Sequence, residues 1–402
     1  MASGGAVTST GGVGRTGGAS GTGGSPVTGG ANATGGATVG QDAGPPDKDA
    51  SPATGGVLTS GGKTASGGST ALGGNAASGG SATQDALPPQ DVGPNTNSDA
   101  SSIPGCSAVP VTPNAIPQVS KVLCYLYSQY GNHILSGQEE GGSDSEINYI
   151  FTNTGKYPAI RAFEANGAGA GTRCVSYWNA GGLCMFGYHM GAPSTADGYN
   201  GSKTKLTPSI ADALTAGTAN NTVLNQRLSG LADRLLAVQA ANGVVIFRPY
   251  HEAGGTWFWW SMETGADFVK LWKYTFDFMV SKGVKNTIWL LALDGSAKSA
   301  FYPGPQYVDI GGADNYNKAY DYSPMTSIYT NTAKIFPTGM PIALHECGPV
   351  PDPDQLQSTK TNWVFFSIWT SPYPETFSTV AELQKVYTSS YVVSRDELPN
   401  LK

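Results

Sequence analysis

Val245-Ile-Phe-Arg-Pro-Tyr-His-Glu-Ala-Gly-Gly-Thr-Trp-Phe-Trp-Trp260 opens with three apolar residues, turns polar at Arg248 and delivers His251 and Glu252. It then runs through two glycines into four aromatics. A short continuous apolar run is the pattern of a strand covered on both faces. Met340-Pro-Ile-Ala-Leu-His-Glu-Cys-Gly348 repeats the plan, with an apolar run ending in Glu346 and a glycine close behind. Working outward, comparable runs occur at 134–136, 159–161, 183–188, 287–292, 308–311 and 364–369, which with 244–248 and 342–345 makes eight. Helical periodicity fills the intervals at 145–154, 224–241, 266–282, 324–336 and 380–387. In the second of these, apolar residues at 224, 228, 231, 235 and 238 precede an Asn242-Gly243 stop. Eight strands alternating with helices predict an α/β fold, a (β/α)8 barrel. The links after the second and fifth runs look poor in helix, which keeps a doubly wound sheet as the alternative.

The barrel places chemistry at the C-terminal ends of the strands. Polar and aromatic residues gather there: Gly137-Gln-Glu-Glu140 after the first run, Glu164 after the second, His189 after the third and Glu252 after the fourth. Asp294 follows the fifth, Tyr316 the sixth, Glu346 ends the seventh and Trp369 the eighth. A carboxylate at a buried strand end is costly unless it is paired or used.

Residues 1–102 contain no Phe, Tyr, Trp, Cys, His or Glu and only three leucines, in loose Gly/Ser/Thr repeats. Such a stretch cannot bury enough apolar surface to offset its chain entropy, so it reads as a disordered linker ahead of a catalytic domain at 103–402. The formal net charge is −6, with no basic patch, so nucleic acid is not an expected partner. No apolar run is long enough to span a membrane. A monomer is expected. Met1-Ala2-Ser3 reads as a start added where a leader was removed. The long polar tether favours export, as a secreted or surface-tethered protein. Of the five cysteines, Cys106 with Cys124 and Cys174 with Cys184 are close enough for two local disulfides, leaving Cys347 free and buried.

Cleaving a glycosidic bond takes two carboxyl groups, one protonated to donate to the leaving oxygen and one ionised. Strands four and seven of an eight-stranded barrel face each other across its mouth, so Glu252 and Glu346 can meet. Aromatic faces suit the C–H faces of sugar rings, and Trp257, Trp259 and Trp260 are too many to share one core. Residues 134–373 resemble glycoside hydrolase family 26, whose best-known activity is endo-β-1,4-mannanase. The matching motifs are Ile134-Leu-Ser-Gly-Gln138, Arg248-Pro-Tyr-His-Glu252 with Trp257-Phe-Trp-Trp260, and Ile342-Ala-Leu-His-Glu346. Pro351-Asp-Pro-Asp354 and Phe365-Phe-Ser-Ile-Trp369 add to them. The resemblance implies a retaining enzyme acting on mannan, galactomannan or glucomannan, with Glu252 as acid/base and Glu346 as nucleophile. It implies that Arg248 and His251 support the site and that His189 and Trp257 contact the sugar. Tyr316 then orients the nucleophile and Trp369 floors the cleft. Glu164 stands where an aspartate is expected, and Asp294-Gly295 replaces a polar–Pro–Asn type of turn.

Other readings remain. Relatives of this kind also cut β-1,3-xylan and mixed-linkage β-glucan. His189, His251 and His345, with Glu252 and Glu346 beside them, could form a zinc set, although neither His-Glu pair continues to a second His at zincin spacing. A non-catalytic sugar binder on a barrel would not need an opposed acid and base. No cofactor motif and no complete metal site are legible. His345 is expected to point away from Glu346 and His133 to lie at the surface. Glu139 and Glu140 are expected as a loop pair, solvated unless one reaches the site. Tyr302, Tyr307, Tyr320 and Tyr322 are expected to pack.

Overall fold

The computed structural model describes Cys106 and residues 108–402. The expectation of a disordered tail over residues 1–102 lies outside them. The apolar runs form ten strands: β1 (Ile134–Leu135), β2 (Gly137–Glu139), β3 (Ile160–Glu164), β4 (Leu183–Gly187), β5 (Val245–Arg248), β6 (Thr287–Leu293), β7 (Ile310–Asn315), β8 (Ile342–Cys347), β9 (Trp363–Ile368) and β10 (Val392–Val393). From β2 to β9 each strand pairs in parallel with the next, and β9 returns to β2 through Ile368 and Gln138. This closure makes a (β/α)8 barrel and removes the doubly wound alternative. The Gln138 amide fastens the seam, donating to the carbonyls of Ile368 at 3.2 Å and Trp369 at 3.0 Å. β1 continues the first strand backwards and pairs with β10.

The helices form for the reasons their sequences suggest. Ala219–Gln239 starts where the Thr218 hydroxyl accepts the Asn221 N–H, a cap that satisfies an orphan donor. It buries Leu224, Leu228, Leu231, Leu235 and Val238 along one stripe, and the chain leaves through Asn242 in a left-handed conformation. Gly265–Ser281 is capped in the same way by Thr264 and buries Phe268, Leu271, Trp272, Phe276 and Met279.

The link after the second run carries a helix, Ala170–Asn179, contrary to expectation. The Ala168-Gly-Ala-Gly171 stretch at its start hid a spacing, Ala170, Cys174, Tyr177 and Trp178, that is fully buried. After β6 only a single 3-10 turn forms, Ser299–Phe301. Cys106–Cys124 and Cys174–Cys184 are both disulfides, and Cys347 is free and buried. No described helix is long and apolar enough to cross a membrane. Tyr302 packs on Phe336 and Tyr307 on Phe276, whereas Tyr320 is exposed rather than packed. His133 is half-buried beside Tyr391 rather than at the surface.

Candidate active site

At the end of β5 the chain turns sharply. Tyr250 and Glu252 both take left-handed backbone angles, φ 55 and 51. Each costs about 1–3 kcal/mol and persists only where the surroundings impose it. The Tyr250 hydroxyl bonds Thr275 at 2.8 Å, Trp260 Nε1 donates to the His251 carbonyl at 2.9 Å, and the Ala253 N–H returns to Ala292 at 2.9 Å. Trp259 and Trp260 are therefore core residues with no exposure, contrary to the expectation that the tryptophans could not share a core. Only Trp257 stays half-buried, and its Nε1 donates to Glu252 Oε2. Gly255 makes that possible, because a Cβ there would lie 2.6 Å from the Trp257 ring.

Glu346, near the end of β8, is 1% exposed and fixed at both oxygens. The Tyr316 hydroxyl donates to Oε1 at 2.5 Å and Arg248 Nη1 to Oε2 at 2.8 Å. Arg248 Nη2 in turn donates to Glu139 Oε1 at 2.6 Å, so one guanidinium bridges two carboxyl groups. Gly187 on β4 leaves room for it, since a Cβ there would sit 3.2 Å from the guanidinium. Burial pushes Glu139 up to about 8, against the pull of Arg248. Burial opposes charge on Arg248 as well, but Glu139 and Glu346 more than offset it and its pKa is raised.

Glu139 and Glu140 are thus not a solvated pair. Glu140 is also buried and binds both Arg161 and Arg173, while Glu139 belongs to the site. Sequence reasoning ended the first strand at Ser136 and missed this. It also missed Asp314, 2% exposed on β7 and paired in register with Glu346. One carboxylate oxygen from each of Glu252, Asp314 and Glu346 lies within 4.8 Å of the others.

On the opposite side, Glu164 accepts from the His189 backbone N–H at 2.8 Å and meets His189 Nδ1 at 2.7 Å. His189 Nε2 lies 3.1 Å from His251 Nε2. A proton on His189 Nδ1, shared with Glu164, leaves Nε2 of a neutral His189 as the acceptor from His251. Trp369 is mostly buried and meets the His189 ring edge-on at 6.2 Å. His345 turns away, with Nε2 on the Leu293 carbonyl at 3.0 Å. Burial lowers its pKa to about 4, so it is neutral. The three histidines therefore do not converge as a zinc set. Asp294 is buried and bonds Ser296 at 2.6 Å.

Two opposed, buried carboxyl groups at the mouth of a (β/α)8 barrel, with an aromatic wall beside them, are the equipment of a glycoside hydrolase. Residues 111–397 match the sequence profile of glycosyl hydrolase family 26, and the chain belongs to that family. It is 28% identical over 329 residues to mannan endo-1,4-beta-mannosidase B of a Piromyces species, covering 76% of this chain and 56% of that one. It is 30% identical over 312 residues to the mannan endo-1,4-beta-mannosidase of Thermothelomyces thermophilus, covering 71% and 62%. The chain therefore spans under two thirds of the length of these curated relatives. Among solved structures, a GH26-CBM35 beta-(1,4)-mannanase of Podospora anserina superposes with a TM-score of 0.67 at 30% identity, covering 77% of this chain and 71% of that one. A beta-mannanase from a symbiotic protist of the termite Reticulitermes speratus, complexed with gluco-manno-oligosaccharide, gives 0.66 at 28% identity, covering 73% and 98%.

Proposed function

We propose that the chain is a retaining endo-β-1,4-mannanase that cleaves internal bonds of mannan, galactomannan or glucomannan by double displacement. The observation that carries this is the approach of Glu252 and Glu346 to within 4.8 Å, measured between oxygens. Retaining enzymes hold their carboxyl groups about 5–5.5 Å apart, whereas inverting ones leave about 6.5–9.5 Å for a water. The mannanase names of the relatives support the substrate class.

Glu346 is the nucleophile. Arg248 and Tyr316 occupy both of its oxygens, which fixes the orientation of the carboxylate. Glu252, close to Glu346 and contacted by Trp257, is the acid/base. It protonates the leaving oxygen as Glu346 attacks the anomeric carbon, then takes a proton from the water that releases the sugar. His251 and His189 hold the wall beside Glu252, Trp257 and Trp369 offer ring faces to the sugar, and Asp314 accepts from a sugar hydroxyl. The two disulfides support an oxidising, extracellular location.

The test is an activity screen on galactomannan, β-1,3-xylan and barley glucan, followed by proton NMR of the first products from a defined oligosaccharide. Preference for galactomannan with the β-anomer appearing first is expected. Preference for xylan or barley glucan refutes the substrate, and early α-anomer refutes the mechanism.

A further inference from the structure

The aromatic wall of the cleft continues outward from the nucleophile. Tyr316, bonded to Glu346, meets Tyr373 edge-to-face at 5.2 Å, and Tyr373 meets Phe377 at 4.3 Å. The Phe377 carbonyl accepts the N–H of Tyr320 at 2.9 Å. The ring contacts stop at Phe377, and this backbone bond ties the loop after Tyr316 to them; on that loop Tyr320, at 59%, is the most exposed large hydrophobic among the described residues.

The loop carrying Tyr320 is seated on the nucleophile's strand end. A Cβ on Gly348, two residues after Glu346, would lie 3.3 Å from Phe377 Cδ1 and 3.5 Å from both the Asn317 carbonyl and Tyr316 Cδ1. The Tyr322 carbonyl accepts the Asp352 N–H at 2.9 Å. Inside the loop, Asn317 Nδ2 donates to the carbonyls of Asp321 and Ser323, each at 3.1 Å. This bracing holds Tyr320 at φ 67, a region where a bulky residue is strained and glycine is not. Packing does not account for an exposed aromatic at this position, and its ring is left open to a ligand.

We propose that Tyr320 is a stacking platform for a pyranose ring of the β-glycan, at a subsite beyond the sugars held by the catalytic centre. Its ring face fits the C–H face of a sugar and its hydroxyl can pair with a sugar hydroxyl. Only chains long enough to reach past Tyr316 and Tyr373 gain from it, so Tyr320 favours polymer over short oligosaccharides. This inference rests on the reading of the cleft as a β-glycan hydrolase site.

The test compares Y320G, Y320A and Y320F with the full-length wild type, on manno-oligosaccharides of increasing length and on a short activated aryl β-mannoside. Aromatic contacts contribute up to about 1.5 kcal/mol, or roughly tenfold. Y320G and Y320A are expected to lose about three- to tenfold in kcat/KM on the longest substrates, through KM, and nothing on the aryl mannoside. Y320F, which keeps the ring, stays within about twofold. Y320G keeps the wild-type melting temperature or exceeds it, because glycine accepts φ 67 without strain. A melting temperature lowered in Y320G, with equal loss at every length, means a structural role and overturns the proposal, as does no loss at any length. Wild-type turnover judges the mannan reading separately. If the wild type cleaves only xylan or glucan fragments, that reading fails and the length series on those fragments decides Tyr320. If it cleaves none, the platform proposal falls with the hydrolase reading.

Discussion

Replacing Glu139 by Gln and by Ala separates charge from hydrogen bonding at the Arg248 clamp. With a pKa of about 8 set by burial, Glu139 is mostly protonated at pH 7. Arg248 then bonds Glu346 and one neutral acceptor, Glu139. Gln reproduces that neutral acceptor in the same volume, so E139Q is expected to cost under about 1 kcal/mol in stability and a few-fold in kcat/KM at pH 7. Ala leaves a buried guanidinium N–H without its acceptor, which costs about 1.5–3 kcal/mol and loosens the grip on Glu346. E139A is expected to lose roughly tenfold or more in kcat/KM. The pH dependence has a definite sign. The carboxyl titrates near 4.5 in the unfolded chain and at about 8 in the fold, so its contribution is complete below 4.5. It is lost as pH rises to about 8, by at most about 1.4 kcal/mol per pH unit. Urea unfolding of wild type and E139Q between pH 5 and 8 reads this directly, and E139Q should gain on the wild type as pH rises. Parallel stability curves, together with E139Q as damaged as E139A, would show that Glu139 is ionised and refute the reasoning.

Tyr316→Phe removes one of the two donors on Glu346 and is expected to lower kcat roughly ten- to hundredfold with little change in melting temperature, since a hydrogen bond to a charged group contributes about 1.5–3 kcal/mol. A chain beginning at Ile103 is expected to keep both its melting temperature and its turnover of soluble oligosaccharide; a loss of several degrees would mean that residues 1–102 dock on the barrel. Activity is expected to survive prolonged chelation, and loss with recovery on added zinc would revive the metallohydrolase reading.

The parts of the barrel legible in the sequence were those where burial on both faces writes a continuous apolar run, as at Val245-Ile-Phe247 and Ile342-Ala-Leu344. The same rule hid the strand ends that line the site. β2 runs through Gly137-Gln-Glu139 and β7 ends in Asp314-Asn315, where polar residues interrupt the apolar run, so both strands were cut short and Glu139 and Asp314 fell into loops. Periodicity could have recovered neither; extending each strand until its neighbours' register ran out could have. The helix Ala170–Asn179 was masked by glycines at its start, although its buried spacing is regular. Trp259 and Trp260 could not be separated from Trp257, because the left-handed turn at Tyr250 and Glu252 that sends them inward has no local signature without glycine or asparagine.

The assignment of Glu252 as acid/base and Glu346 as nucleophile is tested most directly by the stereochemistry of azide products. Glu252→Ala lacks the proton donor, but an activated aryl β-mannoside departs without one. The variant therefore forms its glycosyl-enzyme and stalls, because no base activates water. Azide needs no base, so it rescues turnover and is predicted to give the β-glycosyl azide. Glu346→Ala forms no intermediate, and azide entering the vacated face gives the α-azide. The reverse pairing, α from the Glu252 variant and β from the Glu346 variant, would mean that the roles are exchanged. Retention of more than about a tenth of wild-type activity on polymer by both variants, where acid catalysis alone contributes about 10²–10⁴-fold, would place the active site elsewhere.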